Sequence, residues 1–263
     1  MKNVELQAHR GVSTDFPENT MAAFQGAVDQ GYKIIELDPG ETKDCQIVVL
    51  HDWSINRTGR NADGQQVEQE IKICDIAYEE ALEYEFGSWF AEEFKGEKIP
   101  LLADVLKLAK EHNILVKIDN KFQRFSEAGK AELFRVARES GAHVAFTCTN
   151  MEAIDMALEN VPGTDIHYDG LVTEEMLQAV TAKIPGEKLV VWVPHECKRS
   201  AGWITVEFAS PKLCGLVKQY ATLGIWILSE EEDLEDAILN LGADLIETTG
   251  KLKPEMVSRI MGK

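Results

Sequence analysis

Short apolar segments alternate with amphipathic segments along most of the chain. The apolar segments predict β-strands at residues 4–8, 33–38, 114–119, 144–147, 165–168, 188–193, 225–228 and 244–247. A repeat of about 3.6 residues in the segments between them predicts helices at 21–29, 101–111, 128–140, 151–159, 174–183, 211–220 and 231–241. Helix-ending glycines such as Gly31 and Gly141 precede several of these strands.

Strand–helix alternation of this kind predicts right-handed βαβ units around a parallel sheet. Eight repeats favour closure into a (β/α)₈ TIM barrel over an open doubly wound sheet. Residues 47–50 follow the second strand after a short turn and are typical of the return arm of a hairpin. The polar, irregular stretch at about 53–98 is too long for an ordinary βα loop, so we interpret it as an insertion in a single domain spanning 1–263.

Composition and charge narrow the choice of function. The 263 residues include 27 basic and 45 acidic side chains, a formal net charge of −18. Such a balance argues against nucleic-acid binding and against stable docking on anionic membranes, both of which need basic surfaces. An anionic substrate would require a local cation to reverse this field, which is a first indication of a metal.

The cysteines and the apolar runs suggest the cellular compartment. The five cysteines (Cys45, Cys74, Cys148, Cys197 and Cys214) are odd in number and contain no C-x-x-C pair, which favours reduced thiols in a reducing compartment. No secretory-type leader or long uncharged apolar run is evident. We therefore expect a cytoplasmic protein.

Polar side chains at the ends of the predicted strands are the candidates for chemistry, because active sites of such barrels lie at the carboxyl ends of the strands. Glu36 and Asp38 project from the same side of the second strand and suit a hard divalent cation. Taken alone, however, a pair of this kind is usually solvent-facing. His9 and His51 each end a strand or hairpin arm and suit general acid–base catalysis.

Phosphodiester cleavage would use all of these groups together. A metal and cationic side chains neutralise the phosphoryl oxygens, one base activates the nucleophile and one acid protonates the departing alkoxide. Arg10 and Lys121 are the candidate cations.

An ordered series of motifs resembles the glycerophosphodiester phosphodiesterase family over about residues 7–121, and in outline beyond. The motifs are His9-Arg10-Gly11, Pro17-Glu18-Asn19-Thr20, Ala23-Phe24, Gly31, Glu36-Leu37-Asp38, Thr42-Lys43-Asp44, Val48-Val49, His51-Asp52, Arg57-Thr58, Ile99-Pro100-Leu101, and the strand ending at Asp119 and Lys121.

The resemblance implies a TIM barrel with an insertion after the histidine–aspartate pair. It implies one bound divalent metal, Ca²⁺ or Mg²⁺ with Mn²⁺ as a further candidate, and cleavage of glycerophosphodiesters to glycerol 3-phosphate and an alcohol. By the same resemblance, His9 and His51 are the acid–base pair, and Arg10 and Lys121 contact phosphate. The implied metal ligands are Glu36, Asp38 and Asp119.

Several positions depart from the family pattern. Asp119 stands where a glutamate is usual, and Cys45 replaces a glycine in the hairpin turn, a change that we expect to be tolerated at negative φ. The segments around Trp226 and Glu247 also differ, so substrate selection is the property most open to change.

Other residues have both a structural and a functional interpretation. His195 and Trp226 are candidate substrate contacts or structural residues, and Trp203 belongs to the loop after His195. Asn19 is the expected cap of the first helix, or a residue that orients the site. The expected partner is a small glycerophosphodiester, with a monomer or homodimer equally acceptable.

Three alternatives remain open at this point. A related barrel enzyme would cleave a lysophospholipid or form a cyclic phosphate through a substrate hydroxyl. A non-catalytic barrel would bind a phosphorylated metabolite, although it would not need two histidines. A carboxylate-based sugar enzyme would leave both histidines without a role.

Overall fold

Eight parallel strands close into a barrel in the computed structural model, which describes residues 4–202, 204 and 206–262. The barrel strands are β1 (Glu5–Ala8), β2 (Ile34–Leu37), β5 (Leu115–Ile118), β6 (Val144–Cys148), β7 (Asp165–Tyr168), β8 (Leu189–Pro194), β9 (Thr222–Leu228) and β10 (Leu245–Thr248). Neighbours around the barrel run in chain order, with β10 returning to β1. The predicted TIM barrel and all eight of its strands are confirmed.

Helices cover the outside of this barrel. They are α1 (Met21–Asp29), α2 (Tyr78–Ala81), α3 (Leu102–His112), α4 (Glu127–Ser140), α5 (Met151–Asn160), α6 (Glu174–Thr181), α7 (Pro211–Val217), α8 (Glu231–Leu239) and α9 (Pro254–Met261). All of them except α2 share one large core with the strands. The short α2 lies in the insertion and packs into a separate small core through Ala81. The short α2 and the terminal α9 were not predicted from the sequence. No helix in the described part of the chain is both long and apolar enough to cross a bilayer.

The start of α1 differs from the prediction. The cap is Thr20, whose side chain accepts the Ala23 N–H, and not Asn19. Asn19 has φ of 58° and lies one residue before the cap. Its amide points to Asp38, as the alternative interpretation required.

A separate two-stranded sheet follows β2, formed by β3 (Pro39–Glu41) and β4 (Ile47–Val49) in antiparallel register. The predicted hairpin is therefore present. The expectation for Cys45 in its turn was wrong: φ is +59°, so the chain needs here the left-handed conformation that glycine adopts most easily. Beyond β4, the insertion has its own small core, which includes Ile55, Phe86 and Ile99.

Candidate active site

A tight turn after β1 brings His9 and Arg10 over the barrel. Arg10 has φ of 57°, and its backbone N–H donates to Glu36 Oε2 at 2.9 Å. Gly11 is needed next, because a Cβ there would lie 2.7 Å from the backbone of Ala23 in α1. The His-Arg-Gly sequence thus folds the first loop back onto the end of β2.

Asp38 is the central acceptor of the site and is buried. Lys121 Nζ lies 2.7 Å from Oδ1, while Asn19 Nδ2 and Arg10 Nε lie 2.8 and 3.1 Å from Oδ2. Burial raises the pKa of Asp38, but Lys121, Arg10 and His51 together hold it below its usual value. Asp38 is therefore a carboxylate at neutral pH.

Glu36 and Asp119 show the opposite behaviour. Burial, together with the charge of Asp38, raises the pKa of both side chains, and for Glu36 the pKa lies well above its usual value. His9 Nε2 lies 3.9 Å from Glu36 Oε2. Burial also lowers the pKa of His9 to about 4, so its imidazole is neutral at neutral pH. The site thus concentrates buried negative charge beside a neutral histidine.

His51 lies at the edge of the site, after β4. Its Nδ1 is 2.6 Å from Asp52 Oδ1, and Asp52 Oδ2 in turn lies 2.5 Å from Arg57 Nε. Lys121 donates to the backbone oxygen of His51 as well as to Asp38. This one lysine therefore connects the hairpin histidine to the buried carboxylates.

Glu18 completes the connection between the first loop and the insertion, and sequence reasoning assigned it no role in the site. Its carboxylate accepts from Arg57 at 2.7 and 3.0 Å and from Arg10 at 2.9 Å. Its position within the Pro17-Glu18-Asn19-Thr20 motif was the available signal.

A second buried ionic group lies inside the barrel, and its lysine was not predicted from the sequence. Lys117 Nζ lies 2.9 Å from Glu247 Oε2 and 4.4 Å from the centre of the Trp192 ring. Gln7 also donates to Glu247. Lys117 lies on β5, two residues before Asp119. The alternation of side-chain direction along the strand was the only sequence signal for Lys117.

Asp169 brings Trp226 into the same region. The Trp226 side chain interacts with the Asp169 carboxylate and lowers its pKa. Burial raises the pKa of Asp169 to about 6, while Lys117 lowers it and Glu247 raises it. Asp169 follows β7 directly, and this strand-end residue was not among those predicted from the sequence.

His195 does not join this cluster. Its side chain turns outward to α8, where Nε2 lies 3.0 Å from Asp236 Oδ2, so we do not carry it forward as a substrate contact. The physical reason is that His195 caps the turn after β8 through Nδ1, which accepts the Cys197 N–H at 3.2 Å. Trp203 lies outside the described residues.

The donor chemistry of the site fits a hard divalent cation. Five carboxylates lie together here, of which Glu36, Asp38 and Glu247 are buried and Asp119 and Asp169 partly buried. They face the buried Lys117 and the largely buried Arg10 and Lys121. Oxygen ligands are those that Ca²⁺ and Mg²⁺ prefer. Among the described residues, the oxygens of Glu36, Asp38 and Asp119 do not all lie within 4.8 Å of one another. A shared ion would therefore require these side chains to approach each other.

Comparison with known proteins decides the family. The sequence model of the glycerophosphoryl diester phosphodiesterase family matches residues 9–165. The chain belongs to this family. Among relatives, a glycerophosphodiester phosphodiesterase of Caldanaerobacter subterraneus is 41% identical over 114 residues, covering 43% of this chain and 44% of the relative. The human lysophospholipase D GDPD1 is 29% identical over 261 residues, covering 92% and 82%.

Solved structures of family members have the same fold. A phosphodiesterase from Oleispira antarctica, solved in complex with the product sn-glycerol-3-phosphate, has a TM-score of 0.75 at 20% identity and covers 98% of this chain and 97% of that one. The glycerophosphodiester phosphodiesterase of Agrobacterium tumefaciens has a TM-score of 0.70 at 18% identity, covering 97% and 99%. The resemblance first indicated by residues 7–121 is thus confirmed. The match still spans less than half the length of the first curated relatives.

Proposed function

We propose that this family member hydrolyses glycerophosphodiesters to glycerol 3-phosphate and an alcohol with the help of one divalent metal ion. The observation that carries the proposal is the bridge made by Lys121. Lys121 donates to Asp38 Oδ1 and to the backbone oxygen of His51. His51, one of the two candidate proton-transfer residues, therefore lies on one flank of the carboxylate cluster. His9 lies on the other flank, beside Glu36.

The two histidines differ in a way that suggests their roles. Because burial keeps His9 neutral, Nε2 is available as a base that removes the proton from the attacking hydroxyl or water. Asp52 lies against Nδ1 of His51 and holds the ring in a fixed orientation, which leaves Nε2 to give a proton to the departing alkoxide. His9 would then be the base and His51 the acid.

Two cationic side chains support the phosphoryl group. Arg10 and Lys121 already share Asp38, so their charge is concentrated beside the carboxylate cluster. Little reorganisation of either side chain is needed for it to face an anion there. We propose that they bind the non-bridging oxygens.

Glu36, Asp38 and Asp119 are the proposed holders of the metal ion. A carboxylate has about four acceptor sites, and Asp38 already receives contacts from three donors, so it can still offer one lone pair. The raised pKa values of Glu36 and Asp119 reflect buried negative charge that a cation would relieve. When bound, Ca²⁺ or Mg²⁺ polarises the phosphoryl oxygen as a Lewis acid.

The test is hydrolysis of glycerophosphocholine, glycerophosphoethanolamine and bis(p-nitrophenyl) phosphate. Metal-stripped protein is assayed alone and after addition of Ca²⁺, Mg²⁺ or Mn²⁺. We expect activity only with metal, and a loss of about 10²–10⁴-fold in kcat for His51→Ala. His143→Ala is the matched control, since His143 also pairs with an aspartate, at 2.8 Å from Asp165, but on the outer surface. Absence of turnover by folded, metal-binding protein would refute the substrate assignment.

A lysophospholipid is the second candidate substrate. The human lysophospholipase D aligns over 92% of this chain, which is far more than the first curated relatives cover. Assays with lysophosphatidylcholine under the same conditions distinguish the two substrates. A cyclic phosphate detected by ³¹P NMR would identify a substrate hydroxyl, in place of water, as the nucleophile.

A further inference from the structure

A cluster of three metal-binding side chains lies away from the proposed active site, between the end of β8 and the start of α8. His195 is buried, Cys197 is exposed and Asp233 is half-buried. Their ligand atoms all lie within 4.8 Å of one another. We infer that His195, Cys197 and Asp233 form a second metal site, which binds a borderline-soft divalent ion of the zinc type.

Local structure explains why the three side chains meet. β8 ends at Pro194, and His195 then caps the 3₁₀ turn Glu196–Ala201, which carries Cys197. Asp233 lies in the first turn of α8, where its carboxylate faces the Cys197 thiol and contributes to raising the pKa of that thiol. The site therefore joins two segments that are 36 residues apart, from Cys197 to Asp233, in the sequence.

His195 is oriented as a metal ligand. Nδ1 accepts the Cys197 N–H, so the ring proton is on Nε2, which donates to Asp236 Oδ2 at 3.0 Å. Metal-binding histidines characteristically donate their other ring N–H to a carboxylate, which fixes the tautomer. Nδ1 lies 3.8 Å from Asp233 Oδ1. An ion would take the place of the Cys197 N–H, which can turn to solvent because Cys197 is exposed.

The distances between the ligand atoms and the types of donor both indicate which ion would bind. Zinc binds nitrogen and oxygen at about 2.0–2.2 Å, so two tetrahedral ligands lie about 3.4 Å apart, close to the separation seen here. A nitrogen, a sulfur and an oxygen donor together suit zinc better than Ca²⁺ or Mg²⁺, which take oxygen only. Three protein ligands leave one position for water.

Binding of the metal ion would release one proton from the protein. The Cys197 S–H bond breaks, its proton leaves to solvent, and the thiolate forms the metal–sulfur bond. Neither the oxidation state of the sulfur nor that of the metal changes. Cobalt(II) is the probe, because a thiolate ligand gives it a charge-transfer absorption that oxygen and nitrogen ligands do not.

The first experiment titrates the metal-stripped full-length chain with Co²⁺. We expect one equivalent to produce the thiolate-to-cobalt band, and one equivalent of Zn²⁺ to abolish it. Cys197→Ser should remove the band. Cys74→Ser is the matched control and should retain it, because Cys74 is also an exposed cysteine whose thiol contacts an aspartate, Asp75, at 3.8 Å. No band in the unmodified chain, or a band that survives Cys197→Ser, would overturn the inference.

Asp236 tests the geometry independently of the sulfur. Asp236→Ala removes the acceptor of the His195 Nε2–H, and we expect about 10–100-fold weaker cobalt binding with the same band at saturation. Glu232→Gln, on an exposed position of the same helix, should leave the affinity unchanged. Equal affinities for Asp236→Ala and the unmodified chain would contradict the inference that Asp236 orients His195 as a ligand.

Discussion

Removal of the charge on Lys117 should destabilise the barrel strongly. Lys117 and Glu247 form an ion pair of 2.9 Å inside the barrel, with side chains only 7% and 5% exposed. Lys117→Met keeps most of the aliphatic stem, and so much of the packing against Trp192, but leaves Glu247 with only Gln7 as a close donor. An unpaired buried carboxylate is therefore the main consequence.

The expected loss follows from this geometry. Breaking a buried ion pair by removing one partner costs about 3–5 kcal/mol in the free energy of unfolding. For a chain of this size each kcal/mol lowers Tm by about 2–4 °C, so we expect a decrease of about 6–20 °C. Removing both charges in Lys117→Met/Glu247→Gln should recover most of it, because two neutral groups leave no uncompensated charge.

Urea denaturation of the four proteins in this cycle measures the effect. The pH dependence gives a further check, since Lys117 is the strongest influence that lowers the pKa of Glu247 against burial. Without Lys117 the pKa of Glu247 in the folded state should rise above its unfolded value. The deficit should then be small at pH 4 and grow as pH rises. A loss under about 1 kcal/mol at pH 8, or a double variant no more stable than Lys117→Met, would refute the reasoning.

Three further predictions concern single positions. Burial raises the pKa of Asp169 from 3.8 to about 6, so the folded chain binds this proton more tightly and the contribution of Asp169 to stability should fall as pH rises through this interval, by at most about 1.4 kcal/mol per pH unit; urea titrations with chelator should show that Asp169→Asn loses less stability over this interval than the unmodified chain, and equal pH dependences would contradict it. Cys45→Gly should stabilise the chain by about 1 kcal/mol because φ is +59°, whereas Cys45→Ala should not, as thermal unfolding of both will show. Asp119→Asn should weaken activation by Ca²⁺ or Mg²⁺ at least about tenfold in activity titrations, while Asp119→Glu, which restores the carboxylate usual in the family, should retain activation; equal titrations for all three proteins would exclude Asp119 as a ligand.

Most of the fold could be predicted because its signals are local. The bounds of β7 and α1 were predicted to the residue, because the ends of an apolar run or of a helical repeat can be read directly from the sequence. The exceptions were short or lacked a following strand, as with α2 and α9. The error at Cys45 has a different origin: the turn of the hairpin fixes φ, and a cysteine gives no sign that it occupies a glycine conformation.

Residues of the candidate site could be predicted only where they belong to a recognisable sequence motif at a loop. Arg10 and Glu36 lie 26 positions apart, yet the turn after β1 brings the backbone N–H of one to the carboxylate of the other, and both stood in recognisable motifs. Lys117 and Glu247 are 130 positions apart and meet only because β10 closes the barrel against β1. No pattern within either strand names its partner.

The same limit explains the change in the interpretation of His195. Its place at a strand end predicts that it lies at the catalytic end of the barrel, and it does. The strand pattern leaves undecided, however, whether a side chain in the first position after a strand turns inward or outward. The capping bond to the Cys197 N–H and the carboxylate of Asp236 turn it outward, toward α8. A residue that the sequence offers to the substrate is thereby placed beside Cys197 and Asp233, the other two members of the metal site inferred above.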